Sequence, residues 1–326
     1  MRKSRIILPI LLISLSFVVF KAMGQEGNHY SISQAAVVKD SISDNGSRWA
    51  PIIVTEGAVS ELAAQETFAT PVASSTGGQT CGAGVGAREG LASYLNSNEI
   101  AFERKTDGRW PIASITKLMT AIVASELDMG NQKIALTDEM IKTEGSAGNF
   151  KTGEVFTGND LLAAMLLTSS NDAAEAFAQT YGRDAFIRRM NTKAQELRMS
   201  NTHYVDPSGL SPMNQSTPSD LYKLAEYLYT THPDILKISR QRKARIADLH
   251  INRKRTVITI DEFAGRALSA GSGKVTFLGG KTGYITEAEG NGNLLTVFTH
   301  NNQPFVIVVL GSPDRFGETK TLLKCI

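Results

Sequence analysis

The sequence is short of the residues that hold metals or cradle phosphates. Its 326 residues include two cysteines and five scattered histidines. No His-Glu-x-x-His and no Cys-x-x-Cys occurs, so no zinc site is expected. Gly82-Ala-Gly84-Val-Gly86 lacks the third glycine of a dinucleotide fingerprint. The Gly-x-x-x-x-Gly-Lys-Ser/Thr phosphate loop and the Gly-x-Ser-x-Gly elbow do not occur. No metal or organic cofactor is expected. A basic excess is also missing. Lys and Arg number 34 against 32 Asp and Glu, and four of the cations, Arg2, Lys3, Arg5 and Lys21, lie at the extreme N-terminus. Without those four the balance is −2, so a nucleic-acid partner is not expected. With 42% hydrophobic and 20% charged residues, collagen-like, coiled-coil and wholly disordered chains are excluded. The length suffices to bury a core without staples.

The N-terminus has the pattern of an export segment. Met1–Arg5 is cationic and Ile6–Phe20 is an apolar run. That run is shorter than the ~20 residues of a comfortable membrane span. Ala22-Met23-Gly24 offers a small-residue cleavage site, and Lys21 just before it disfavours cleavage. Residues 1–24 therefore read as a signal peptide or a retained membrane anchor. Either way the remainder is expected outside the cytoplasm, in the periplasm or on the extracytoplasmic face of a membrane. There Cys81 and Cys325 either pair or remain two thiols; the sequence does not bring them within bonding distance.

Residues 25–80 are rich in Ser, Thr, Gly, Ala and Gln, with little periodicity. They read as a disordered tether with a reach of roughly 40 Å. From Cys81 to Ile326 the chain becomes regular. Leu91–Leu95 and Glu99–Glu103 read as a hairpin turning at Asn96-Ser97-Asn98. A helix is expected from Ile112 to about Asp128, with Ile115, Leu118, Met119, Ile122 and Val123 on one side. Thr157-Gly-Asn-Asp160 caps a helix over Leu161–Leu167. Helices follow at Asp172–Tyr181, Arg183–Leu197 and, after Ser216-Thr217-Pro218, through Tyr229. Val275–Gly283, Leu294–His300 and Phe305–Gly311 read as strands, with the last two turning at Asn301-Asn302-Gln303. Asp314 to Lys324 reads as a closing helix. Strands at both ends and helices between predict an α+β fold. The terminal strands share one antiparallel sheet flanked by helices, beside a mostly helical lobe.

Three short motifs carry chemistry. Ser114-Ile-Thr-Lys117 opens a predicted helix, and i,i+3 spacing puts Ser114 and Lys117 on one face. A serine hydroxyl needs a base to become a nucleophile. Lysine is that base only when neutral, which requires burial or a nearby cation. A helix start also offers backbone N–H groups to a developing oxyanion. Taken alone, the motif reads more readily as a helix cap with a solvated lysine. Ser169-Ser170-Asn171 lies between two helices, where a turn pushes a hydroxyl and an amide into a cleft or merely reverses the chain. Lys281-Thr282-Gly283 ends a strand after two glycines. A cation and a hydroxyl there suit a carboxylate, and Gly283 lets a ligand backbone approach closely. The bland alternative is a strand end with a solvated lysine. Lys151-Thr152-Gly153 repeats the tripeptide in a polar turn and reads as a chance match.

The ordered set matters more than its parts. Ser-x-x-Lys, Ser-x-Asn and Lys-Thr-Gly in this order resemble the penicillin-binding proteins and serine β-lactamases. Four blocks narrow the resemblance to the low-molecular-mass D-alanyl-D-alanine carboxypeptidases. They are Pro111-Ile-Ala-Ser-Ile-Thr-Lys-Leu-Met-Thr-Ala121, Leu166-Leu-Thr-Ser-Ser-Asn-Asp-Ala-Ala174, Asn201-Thr-His-Tyr-Val-Asp-Pro-Ser-Gly-Leu210 and Gly280-Lys-Thr-Gly-Tyr284. The resemblance runs from about residue 85 to the end and implies a β-lactamase/transpeptidase-like fold. It implies that Ser114 is acylated, Lys117 is its base and Ser169 relays protons. Asn171 would hold substrate or the lysine network, Lys281 would keep the site electropositive, and Thr282 would bind the terminal carboxylate beside Gly283. The backbone N–H groups of Ser114 and Tyr284 would form the oxyanion hole. The implied substrate is a peptidoglycan stem peptide, with β-lactams as inhibitors.

His203 and Asp206 sit in the third block, where a loop-shaping role is expected, and Trp110 is expected to pack. Ser170 stands where class A β-lactamases carry Asp, and no segment aligns with their deacylating Glu loop. Both points favour a carboxypeptidase over a β-lactamase. A D,D-endopeptidase, a β-lactamase and an inactive cell-wall-binding module are the alternatives. His250–Gly271 matches the family poorly, so contacts there are unassigned.

Overall fold

The computed structural model describes residues 81–97, 99–145, 147–285 and 292–326. The expected export segment 1–24 and tether 25–80 lie outside the described residues. The chain starts with strands β1 (Glu89–Tyr94), β2 (Ile100–Arg104) and β3 (Trp110–Pro111). Then come helix α1 (Thr116–Glu126), strand β4 (Lys133–Ala135), helix α2 (Asp138–Ile141) and strand β5 (Val155–Thr157). Helices α3 (Gly158–Thr168), α4 (Asn171–Tyr181) and α5 (Arg183–Glu196) follow, then β6 (Gln215–Ser216), α6 (Pro218–Thr230) and α7 (Pro233–Ser239). Strands β7 (Lys243–Asp248), β8 (Arg253–Ile258), β9 (Leu268–Ser269), β10 (Lys274–Tyr284), β11 (Gly292–His300) and β12 (Gln303–Ser312) lead to α8 (Arg315–Leu323).

The main sheet runs β2-β1-β12-β11-β10-β9 and its neighbouring pairs are antiparallel. Both ends of the described chain therefore share one sheet, as the strand distribution predicts. Side chains alternate across it. Leu295, Val297, Val306, Val308 and Leu310 face the helical lobe, while Leu294, Phe298, Phe305, Ile307 and Val309 face α8. The result is an α+β arrangement with a helical lobe on one face and α8 on the other.

Local signals explain most element ends. The Thr157 hydroxyl accepts from Asp160 N and the Thr217 hydroxyl from Asp220 N, so both predicted caps are made. Asp314 caps α8 through Gly317 N. The turn between β11 and β12 uses two residues rather than three. Asn301 and Asn302 both take positive φ, 49° and 69°, as a tight hairpin needs. α1 departs further from its expected one-sided burial. It is buried all round from Thr116 to Ala124, including Lys117 and Thr120, as a helix inside a core must be. Within the poorly matching stretch, β8 pairs with β7 as a hairpin. Cys81 and Cys325 form a disulfide with Cα atoms 5.5 Å apart.

Candidate active site

Ser114 lies in a single 3-10 turn, Ala113–Ile115, that runs directly into α1. Ala113 holds a φ of 48°, a left-handed conformation that costs a side-chain-bearing residue energy. Its neighbours keep it there. Asn293 Nδ2 donates to Pro111 O at 2.9 Å and Ile112 N donates to Asn214 O at 3.0 Å. Gly209 presses against Ala113: a Cβ on Gly209 would sit 1.9 Å from the Ala113 carbonyl oxygen, and its φ is +82°. Gly283 does the same from β10, where a Cβ would sit 2.7 Å from Ile112 O. Only glycine fits at 209 and 283, so the loop and the strand close on the serine turn.

Lys117, the second residue of α1 and one turn past Ser114, is fully buried. Its Nζ lies 2.8 Å from Ser114 Oγ, 2.7 Å from Asn171 Oδ1 and 2.6 Å from Ser208 O. A neutral amine has two N–H donors and one lone pair. The amide and carbonyl oxygens accept the two donors, which leaves the lone pair for the Ser114 hydroxyl. Burial pushes the Lys117 ammonium well below its usual range, and the charge of Lys281 pushes it further; Asp206 opposes both. The three contacts fit an ammonium or an amine, and it is burial with the nearby Lys281 charge that favours the neutral amine facing the serine.

Asn171 reaches Lys117 because it is the first residue of α4. Ser170 caps that helix, its hydroxyl accepting from Ala173 N at 3.2 Å. Ser170 therefore has a local structural task. Asn171 Nδ2 donates to Glu144 O at 2.6 Å, which fixes the amide orientation. Ser169, just before, adopts the left-handed conformation at the end of α3, with φ 63° and ψ 33°. That kink turns its hydroxyl toward Lys281 Nζ, 3.0 Å away.

Lys281 is buried in β10 and also donates to Thr282 O at 2.9 Å. The Thr282 hydroxyl is 3.4 Å from Nζ and almost wholly buried beside it. Burial lowers the Lys281 pKa to about 7; Asp261 draws it up and Arg315 pushes it down. β10 is bent by a register shift between Phe277 and Gly279. Gly280 N donates to Ser239 Oγ at 3.0 Å, docking the strand on α7. Tyr284, at the strand end, is 60% exposed. It lines an open cleft of about 230 Å³ together with Ser114, Asn171, Glu144 and Gly209.

All eight candidate residues thus converge, as two coupled groups. One is Ser114, Lys117 and Asn171; the other is Ser169, Lys281 and Thr282, with Gly283 and Tyr284 on the same strand. Sequence reading missed several supporting residues. Ser208 contributes a backbone carbonyl, which no side-chain pattern reveals. Asp206 does shape its loop: Oδ1 accepts from Ser208 N, Ser208 Oγ and Gly209 N at 2.8, 2.9 and 2.6 Å, and Oδ2 from Ser211 N at 2.9 Å. Asp261, from the poorly matching stretch, acts on Lys281 through charge. His203 pairs its backbone with Gln215, and Trp110 packs beside the core with Arg88 over its ring. The Lys151-Thr-Gly153 repeat lies in a turn, with Gly153 at φ +84°.

Comparison with known proteins agrees with this geometry. A D-alanyl-D-alanine endopeptidase of Pseudomonas aeruginosa is 40% identical over 138 residues, 41% of this chain and 44% of that protein. The match thus spans less than half the length of that relative. The crystal structure of a D-alanyl-D-alanine carboxypeptidase from Mycobacterium tuberculosis superposes with a TM-score of 0.65 at 26% identity, over 73% of this chain and 90% of the other. A penicillin-binding protein of Listeria monocytogenes in its ampicillin-bound form gives 0.62 at 25% identity, over 73% and 96%. The fold is that of the penicillin-binding D,D-peptidases. The family profile described as D-alanyl-D-alanine carboxypeptidase matches residues 82–314, and the chain belongs to that family.

Proposed function

We propose that the chain is a serine D,D-peptidase that removes the terminal D-Ala from peptidoglycan stem pentapeptides. The observation that carries this reading is the buried Lys117 amine 2.8 Å from Ser114 Oγ. Neutral Lys117 takes the Ser114 proton as Oγ attacks the penultimate D-Ala carbonyl. The resulting oxyanion is held by the backbone N–H groups of Ser114 and Tyr284. As the C–N bond breaks, the proton passes from Lys117 by way of Ser169 to the departing D-Ala amine, leaving an acyl-enzyme on Ser114. Water then attacks the ester, gives a proton to Lys117, and releases the shortened peptide as Ser114 recovers its proton. Lys281 and Thr282 hold the substrate's terminal carboxylate, Asn171 orients the peptide and Lys117, and Gly283 admits the substrate backbone against β10. A β-lactam acylates Ser114 by the same first step.

A second reading is D,D-endopeptidase action on peptidoglycan crosslinks. Relatives at 39–42% identity carry that name. Export to the periplasm or extracytoplasmic membrane face, with residues 6–20 as a possible anchor, completes the proposal. D-Alanine release from a pentapeptide ending in D-Ala-D-Ala tests it, with Ser114→Ala as control and a crosslinked dimer as the competing substrate. Release that depends on Ser114 is expected. Cleavage of the dimer alone would transfer the assignment to the endopeptidase, and no acylation at all would remove the peptidase reading.

A further inference from the structure

The near-neutral total charge hides a local excess. Between residues 240 and 258 the sequence has seven cations and one acid. The β7–β8 hairpin sorts them by face. Its inner side carries buried Ile246, Asp248 and Val257, with Arg255 and Arg253 turned to Glu154. Its outer side, by register, carries Lys243 opposite Ile258, Arg245 opposite Thr256, and Lys254 opposite Ala247. Lys243, Arg245, Lys254 and Ile258 are exposed. None of the three cations has an acidic partner among the described residues. The tip adds Leu249 and Ile251, 42% and 58% exposed, and the exit adds Ile260 at 50%. Among the described residues, four of the nine exposed large hydrophobic side chains thus fall on one cationic hairpin and its exit. Scattered single apolar residues are ordinary on a surface; a cluster rimmed by one sign of charge is not.

We propose that this hairpin docks on the surface of a bilayer containing anionic lipids. A soluble polyanion would satisfy the three cations and leave four aliphatic side chains in water. The boundary between headgroups and acyl chains takes both: phosphates meet Lys243, Arg245 and Lys254, while Leu249 and Ile251 enter the apolar layer. The hairpin packs on α3 and β5, and the proposal does not depend on the peptidase assignment.

The test uses the full chain carrying Ile251→Trp, so that the readout reports the hairpin rather than the N-terminal segment. Vesicles of phosphatidylglycerol with brominated acyl chains quench the new indole if it inserts. The expected result is quenching above that of the parent chain, absent on phosphatidylcholine vesicles and reversed by salt at about 0.5 M, where the screening length is about 4 Å. Lys243→Ala/Arg245→Ala/Lys254→Ala should weaken partitioning on the order of 100-fold, from about 1 kcal/mol per cation. Far-UV circular dichroism and a parent-like urea midpoint report that both variants are folded. Absence of added quenching, or equal quenching on both lipids, overturns the proposal. So does salt-sensitive binding to a soluble polyphosphate with no quenching by lipid.

Discussion

The Ser208 carbonyl accepts a hydrogen bond from the Lys117 Nζ at 2.6 Å, so the base of the site is oriented by backbone from a loop 91 residues away. Asp206 holds that loop through its carboxylate. Asp206 also opposes the depression of the Lys117 pKa. Replacing it with Asn removes a negative charge and so lowers that pKa further. The acid limb of kcat/KM is expected to move to lower pH in Asp206→Asn, while Asp206→Ala also loses stability, by about 1.5–3 kcal/mol for each hydrogen bond to a charged acceptor left unmade. An unmoved limb in a folded Asp206→Asn would separate Asp206 from the lysine.

Asp261 plays the corresponding part for Lys281, whose pKa it raises toward its value of about 7. If charged Lys281 attracts the substrate carboxylate, kcat/KM falls as pH rises through about 7. Asp261→Asn is expected to bring that fall to lower pH. Neutral ester substrates without a terminal carboxylate should lack it.

The same lysine makes stability depend on pH. Its folded pKa of about 7 lies below the ordinary value of 10.5. The unfolded chain therefore binds the extra proton between those pH values, and stability rises with pH across that window. Lys281→Met should flatten the rise measured by urea unfolding, while abolishing carboxylate-dependent activity.

Gly209 has no room for a side chain and a φ of +82°. Gly209→Ala is expected to cost more than about 1 kcal/mol, from left-handed strain alone. Because the clash falls on the Ala113 carbonyl, acylation of Ser114 should slow even in the folded fraction. Calorimetry and penicillin-binding rates measured on one sample check both.

The Cys81–Cys325 bond closes nearly the whole described chain, with a sequence separation of 244. Its reduction, or Cys81→Ser/Cys325→Ser, is expected to lower stability by roughly 2–5 kcal/mol. Acylation below the melting transition should persist, since neither sulfur touches the site.

What the sequence made legible was mostly local. Thr157 with Asp160 and Thr217 with Pro218 announce helix starts through hydrogen bonds within three residues. Asn301-Asn302 marks a hairpin, and Gln303 already belongs to the strand because it pairs with His300. Ser114 and Lys117 share a helix turn, so their juxtaposition follows from spacing. The remainder depends on contacts between distant segments. Ser169 meets Lys281 across 112 residues, and only the ordered set of motifs hints at it. The β7–β8 hairpin leaves little trace along the chain because its inner face relies on Glu154, 99 and 101 residues from Arg253 and Arg255. Ser208 acts by a backbone carbonyl and Asp261 by charge through the fold, and neither leaves a pattern along the chain.

Acylation of Ser114 by penicillin, followed by intact mass and peptide mapping, tests the central claim most directly. One adduct is expected per chain, on the peptide holding Ser114. Lys117→Met should slow its formation about 100- to 10,000-fold, the usual contribution of a general base. An adduct on another residue, or an unchanged rate in folded Lys117→Met, would contradict the account.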